Sequence, residues 1–151
     1  GYEIVENVAW DFLEISKSWC QIAENCHAVC FGSLAQRSEN SRRTIREFVN
    51  LTKNLRIFDV NLRQNYFSAE ILQNSFQLAN IIKLNHEELP VIAKILDVRG
   101  PNIQDCLQNL LKEYSLEFIC LTRGANGSLL MTKKEAAEYP GVEKRSRRVS
   151  G

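Results

Sequence analysis

Three side chains in the stretch "RIFDVNLRQ", residues 56–64, could act together on one ligand: Asp59, Asn61 and Arg63 alternate with Phe58, Val60 and Leu62. Successive side chains of an extended strand point to opposite faces, so a carboxylate, an amide and a guanidinium would share one row. An edge strand with one solvated face accounts for such alternation without any ligand. In a covered sheet the row would be partly buried, where polar groups persist only if paired or facing a polar ligand. The guanidinium fork would then suit a phosphate, to which it can donate two parallel hydrogen bonds.

Two further stretches carry the same double reading. In "KLNHEEL" Asn85 and Glu88 have the spacing of a capping box, in which each side chain binds the other residue's backbone N–H. Pro90 would disturb a helix capped at Asn85. A short turn after Asn85, with Pro90 opening the main helix, leaves both side chains free, and an amide and a carboxylate at a strand end suit a hydrated Mg²⁺ and its phosphates. In "TRGANG" two glycines stand between two apolar runs. They provide either a loop with positive φ or a backbone that a nucleotide phosphate can approach, with Gly124 offering an unshielded N–H. The motif is neither a Walker A sequence nor a GxGxxG.

The elements that must position these groups alternate along the chain. Phe12, Leu13, Ser16, Trp19, Cys20 and Ala23 are spaced as the core stripe of a helix over 10–23, and "AVCFGSL" reads as a buried strand. A helix follows at 41–54 with Ile45, Phe48, Val49 and Thr52 inward, then the strand at 56–64. Ser68 caps a short helix, "ANIIKLN" is another strand, and helices follow around 90–96 and 103–114. "LEFICLTRGANGSLLMT" gives strand, loop and strand. This alternation predicts an α/β fold with a mainly parallel sheet and helices on both faces. Ligands of such sheets gather at the carboxyl ends of the strands. Four apolar runs end in candidate groups: Gly32 and Ser33; Asp59, Asn61 and Arg63; Lys83 and Asn85; and Thr122, Gly124 and Gly127.

Composition narrows the partners. The 151 residues are 44% hydrophobic and 25% charged with a formal charge of +1, which suits one globular domain and supplies no field for nucleic acid or an anionic membrane. The basic run "EKRSRRVS" reads as a solvated tail. With neither a signal-like start nor an apolar stretch of membrane length, the expected location is cytoplasmic. Five cysteines without a CxxC pair argue against a disulfide framework and a zinc site. Cys30 and Cys120, within apolar runs, are expected to pack as small hydrophobes. Cys26 beside His27 is no evidence of a nucleophile and base, since adjacency in sequence does not define that geometry.

Taken in order, "FGSL", "FDVNLR", "KLNHEEL" and "LTRGANGSLL" resemble the successive motifs of the ribokinase-like (PfkB) carbohydrate kinases, and "AWDF", "FGSLAQRS" and "FDVNLRQ" are similar to the fructokinase branch. The resemblance runs from Tyr2 to Pro140. It implies that residues 1–140 are the central part of a kinase domain, followed by a divergent basic tail at 141–151. The implied reaction moves the γ-phosphoryl of ATP to a primary hydroxyl of a sugar, fructose foremost. Ribose, a ketodeoxy sugar acid or a nucleoside are other acceptors within the family, and a non-catalytic nucleotide-binding protein of the same fold is a further reading. By resemblance, Asn85 with Thr122, Arg123, Gly124, Ala125, Asn126 and Gly127 contacts ATP. Glu88 reaches Mg²⁺ through water, and Arg63, Asp59, Asn61, Gly32 and Ser33 line the sugar and phosphate end. The implied partners are a small sugar and ATP, with no nucleic acid or membrane, and a homodimer of the complete protein is compatible with the resemblance. The family's GAGD signature, which supplies the catalytic aspartate, is not found in this sequence. No residue here is assigned as general base, and the chain alone is expected to be inactive.

Overall fold

The structure is a computed structural model, and it describes residues 4–141. Six strands form one sheet in chain order: β1 Ala28–Gly32, β2 Leu55–Asp59, β3 Ile81–Asn85, β4 Phe118–Thr122, β5 Ser128–Met131 and β6 Ala136–Tyr139. β1 to β4 are parallel, while β5 and β6 return antiparallel. Helix α1 Lys17–Asn25 precedes β1, α2 Glu39–Leu51 and α3 Ala69–Leu78 connect the next strands, and α4 Glu88–Ile95 and α5 Ile103–Glu113 lead to β4. The caps follow the sequence: Ser68 Oγ accepts from the Ile71 N–H at 3.2 Å and Asn102 Oδ1 from the Asp105 N–H at 2.9 Å. Apart from Gly141, the basic tail lies outside the described residues.

The α/β class and the mainly parallel sheet stand. Alternate strand residues, Phe31, Phe58, Ile82, Leu84, Ile119, Leu121, Leu129 and Met131, share one core with Val49 of α2, Leu72 and Phe76 of α3, Ile92 of α4 and Leu107, Leu110 and Leu111 of α5. The opposite face carries Cys30, Ile57, Ile81, Phe118, Cys120 and Leu130, none of them buried. Helices were expected on both faces, yet among the described residues the helix-packed core lies on one. β1 to β4 step across the sheet in a single direction, and crossovers of one hand that keep stepping the same way must return over the same face.

Three local expectations change. The helix expected over 10–23 is a 3₁₀ turn at Ala9–Asp11 and then α1, because Ser16 caps at Trp19 N and restarts the helix. Its stripe is not core: Ala23 is buried, whereas Phe12 is 60% and Trp19 41% exposed. Cys30 is exposed and Cys120 half-buried, since both point to the face that no helix covers among the described residues. Cys26 donates through Sγ to the Ala23 carbonyl and lies 3.7 Å from Thr52 Oγ1. β6, absent from the sequence reading, is exposed along its whole length, so its sequence carries no inward-facing apolar pattern.

Candidate functional site

The last residues of the four parallel strands are Gly32, Asp59, Asn85 and Thr122. Being parallel, the strands bring these residues to one end of the sheet. Register then arranges them in two rows on the open face: Gly32, Asp59, Lys83 and Cys120 in one, Asn85 and Thr122 in the next. Gly32, Asp59, Asn85 and Thr122 are each the polar or glycine residue at which a strand ends.

The row of Asp59, Asn61 and Arg63 does not form. β2 stops at Asp59, and Asn61 takes a left-handed φ of 44°, as does Gln64 at 45°. The alternation is lost at Asn61, since a left-handed residue reverses the pleat. Arg63 is exposed, and among the described residues its side chain donates only from Nη1 to the Leu62 carbonyl. Asp59 instead accepts from Lys83 Nζ at 2.9 Å, and the two side chains are 37% and 39% exposed.

At the end of β3, Asn85 Oδ1 accepts from the N–H groups of Glu87 and Glu88, both at 2.9 Å, while Glu88 Oε2 accepts from the Asn85 N–H at 2.8 Å. The capping box therefore forms, and the turn that was to leave both side chains free does not. Pro90 tolerates it as the third residue of α4, inside the first turn, where no N–H is required. Glu88 does more than cap. Buried to 5% exposure, it accepts through Oε1 from the Leu62 N–H at 2.8 Å and so ties the loop after β2 to the end of β3. Asn85 Nδ2 has no partner among the described residues.

β1 braces the same loop. Ser33 is buried and donates through Oγ to the Val60 carbonyl at 2.8 Å and to that of Asn61 at 3.3 Å. Its hydroxyl is thus spent on backbone. Gln36 Nε2, also buried, donates to the Gly32 carbonyl and to Ser75 Oγ, each at 2.9 Å. A Cβ on Gly32 would stand 3.3 Å from the Asp59 carbonyl, so the closeness of β1 to β2 here favours glycine.

After β4 the chain makes a 3₁₀ turn, Gly124–Asn126. Gly124 has φ +57° with open space where a side chain would stand, whereas a Cβ on Gly127, at φ +83°, would collide with the Tyr139 carbonyl. One glycine leaves the loop surface bare, and the other lets β6 pass close. Ala125 and Asn126 are exposed. Thr122 Oγ1 lies 3.4 Å from the Leu84 carbonyl. Arg123 pairs with Glu138 Oε2 at 3.3 Å, in the row of Leu121 and Leu129.

A separate cluster ties down the start of the described chain. Arg37 donates through Nε and Nη2 to the two oxygens of Asp11 at 2.8 and 2.7 Å, and Nη2 also reaches the Val5 carbonyl. Its guanidinium carbon lies 4.5 Å over the Tyr66 ring, whose hydroxyl donates to Glu6. The Arg37 hydrogen bonds hold the Asp11 carboxyl below the usual carboxylate range, despite its burial.

Sequence reasoning missed Gln36 and the Asp11–Arg37 pair, and it singled out Lys83 without its partner. Lys83 was visible as a strand-end residue, but its pairing with Asp59 needs the β2–β3 register. Gln36 and the Asp11–Arg37 pair join residues far apart in sequence and leave no local signal. Among the described residues no cluster of three or more His, Cys, Asp and Glu could hold a metal ion, and no helix is long and apolar enough to cross a membrane.

No family model matches the chain, and no curated protein does. Solved structures match it well. It is similar to a fructokinase with bound ATP from Xylella fastidiosa, at 19% identity and TM-score 0.67, over 80% of this chain and 40% of that one. An uncharacterized sugar kinase from Pyrococcus horikoshii is 24% identical at TM-score 0.64, over 82% and 38%. The aminoimidazole riboside kinase from Salmonella enterica, complexed with aminoimidazole riboside and an ATP analog, is 23% identical at TM-score 0.62, over 75% and 39%. The chain thus spans about two fifths of the length of these structures. At such identities the likeness shows the fold alone, and the chain shares that fold with part of these sugar kinases.

Proposed function

We propose that this chain is the central part of an ATP-dependent sugar kinase that phosphorylates a primary hydroxyl, with fructose the first acceptor to test. The observation that carries the reading is the convergence of Gly32, Asp59, Asn85 and Thr122 at one end of a sheet of this fold. Phosphoryl transfer asks little covalent chemistry of a protein and much positioning and charge stabilisation. Asn85 Nδ2 and the bare loop at Gly124 are the groups suited to nucleotide phosphates. Gly32, Asp59 and the loop at 60–63 form the acceptor side, with Ser33 and Glu88 holding that loop's backbone.

Mg²⁺ would arrive with the nucleotide and supply charge to its phosphates. The residues fit it only at one remove. Both Glu88 carboxylate oxygens and Asn85 Oδ1 accept from backbone N–H groups, so Glu88 would meet the ion through water rather than by direct ligation. No carboxylate of the chain is assigned as general base. Asp59 is held by Lys83 and is not that base.

The test is titration of Mg-ATP into the chain and into an Asn85→Ala variant, beside a fructose phosphorylation assay. The reading expects binding by the chain, weakened several-fold in the variant, and no turnover. Equal affinities would remove Asn85 from the site, and turnover of fructose by the 151-residue chain would refute the absence of its base.

A further inference from the structure

The Arg63 side chain reaches only the neighbouring Leu62 carbonyl among the described residues, so its backbone sets where its guanidinium can go. That backbone is pinned on either side. One residue before it, the Leu62 N–H donates to Glu88 Oε1 at 2.8 Å. Three residues after it, the Tyr66 N–H donates to the Arg63 carbonyl at 3.1 Å and closes a turn in which Gln64 takes a left-handed φ of 45°. A left-handed residue other than glycine is disfavoured on its own, so such a turn needs an anchor.

The anchor is the half-buried Tyr66 side chain. Its ring lies 4.5 Å from the Arg37 guanidinium carbon, and its hydroxyl donates to Glu6 Oε1 at 2.8 Å. Arg37 is itself immobilised. It ends the 3₁₀ turn Leu34–Arg37 that follows β1, its side chain is only 7% exposed, and Asp11 takes both Nε and Nη2. The guanidinium thus uses its fork on one partner and its flat face on another, which an ammonium cannot do. A chain of contacts therefore runs from the end of β1 through Arg37 and Tyr66 to the turn that begins at Arg63.

We propose that Arg37 and Tyr66 are positioning residues for Arg63, holding the turn at 63–66 so that the Arg63 guanidinium meets the phosphate exchanged between the nucleotide and acceptor sides. The proposal deepens the kinase reading and rests on it for the identity of the anion. It separates this pair from a clamp that only ties down residues 5–11. A clamp contributes to stability whether or not Arg63 is present. A positioning pair contributes to anion binding through Arg63 alone, so its contribution vanishes when Arg63 is removed.

The experiment measures affinity for Mg-ATP and tripolyphosphate in the chain and in Arg63→Ala, Tyr66→Phe, Tyr66→Leu, Arg37→Lys and the double variant Arg63→Ala/Tyr66→Leu, with urea denaturation of each to confirm folding. Tyr66→Leu leaves the bonds of Arg37 to Asp11 in place and keeps the test independent of them. Arg63→Ala is expected to weaken both anions about tenfold, the scale of one charge-assisted hydrogen bond. Tyr66→Leu and Arg37→Lys should each weaken them about threefold, the scale of one cation–π contact. Tyr66→Phe keeps the ring against the guanidinium and should lose less. The double variant should bind no more weakly than Arg63→Ala alone. Losses that add in the double variant overturn the inference, as does a folded Tyr66→Leu or Arg37→Lys chain that binds like the unaltered one. Unchanged affinity in Arg63→Ala, with Asn85→Ala still weakening Mg-ATP, overturns the inference and leaves the kinase reading intact. Binding of neither anion overturns both.

Discussion

The two faces of the sheet are made by the same short strands and differ in what stands over them. In β2, Phe58 is buried among Phe31, Phe76 and the helices, while its neighbours Ile57 and Asp59 point the other way and remain partly exposed. In β3, Ile82 and Leu84 are buried, and Lys83 and Asn85 are not. Strand parity thus divides the labour: one set of alternate residues supports the fold, and the other is available for chemistry. The open face is graded along its length, with the apolar Cys30, Ile57, Ile81 and Phe118 in one row and polar groups toward the carboxyl end.

Substitutions on the two faces should separate stability from binding. The largest effect is expected for Phe58→Ala, about 3–5 kcal/mol in urea denaturation, because a large cavity opens in the core. Ile57→Ala, one residue away on the open face, should cost less than half as much. Similar losses at both positions would mean that the faces are equally packed. Next in size is Glu88→Gln, at about 1–3 kcal/mol, since an amide NH₂ would replace one acceptor and leave a buried backbone N–H unpaired. The exposed neighbour Glu87→Gln is the comparison, with a change within about 0.5 kcal/mol.

Smaller, but informative about the same contrast, is thiol chemistry. Ellman's reagent should modify Cys30 in the folded chain and reach Cys106 only on unfolding; simultaneous reaction would show that the covered face opens readily. Burial pushes the thiols of Cys106 and Cys120 up. A raised folded value favours the folded state below the unfolded thiol value, about 8.5, and that advantage is lost as pH rises through the folded value. Stability should therefore decline above about pH 8.5, less so in a Cys106→Ala variant compared with its own neutral-pH value. At the acid end, Asp11 has a lowered carboxyl. Its contribution is present above about pH 3.9 and lost as pH falls through the folded value, so Asp11→Asn should flatten the acid limb of a pH–stability curve.

The strand ends at Gly32, Asn85 and Thr122 were legible because an apolar run must stop where the sheet stops, whereas the alternation through Arg63 hid the stop at Asp59. The caps at Ser68 and Asn102 were legible for a similar local reason, although only Ser68 was singled out. What escaped depends on distant residues. Asn61 leaves the strand within a loop that Ser33, from the end of β1, and Glu88, from the start of α4, both hold by its backbone. A capping box and Pro90 looked incompatible until the turn at His86 and Glu87 placed the proline in the first turn of α4. The exposure of Cys30 and the pairing of Lys83 with Asp59 follow from sheet order and register, which no single window contains.

The central claim is that the carboxyl end of the open face binds nucleotide while the helix-covered face only supports it. Amide hydrogen exchange with and without Mg-ATP tests this directly. Added protection at residues 83–88 and 122–127, with α2, α3 and α5 unchanged, is the predicted result. Protection confined to the helices, or none at saturating Mg-ATP, would contradict it.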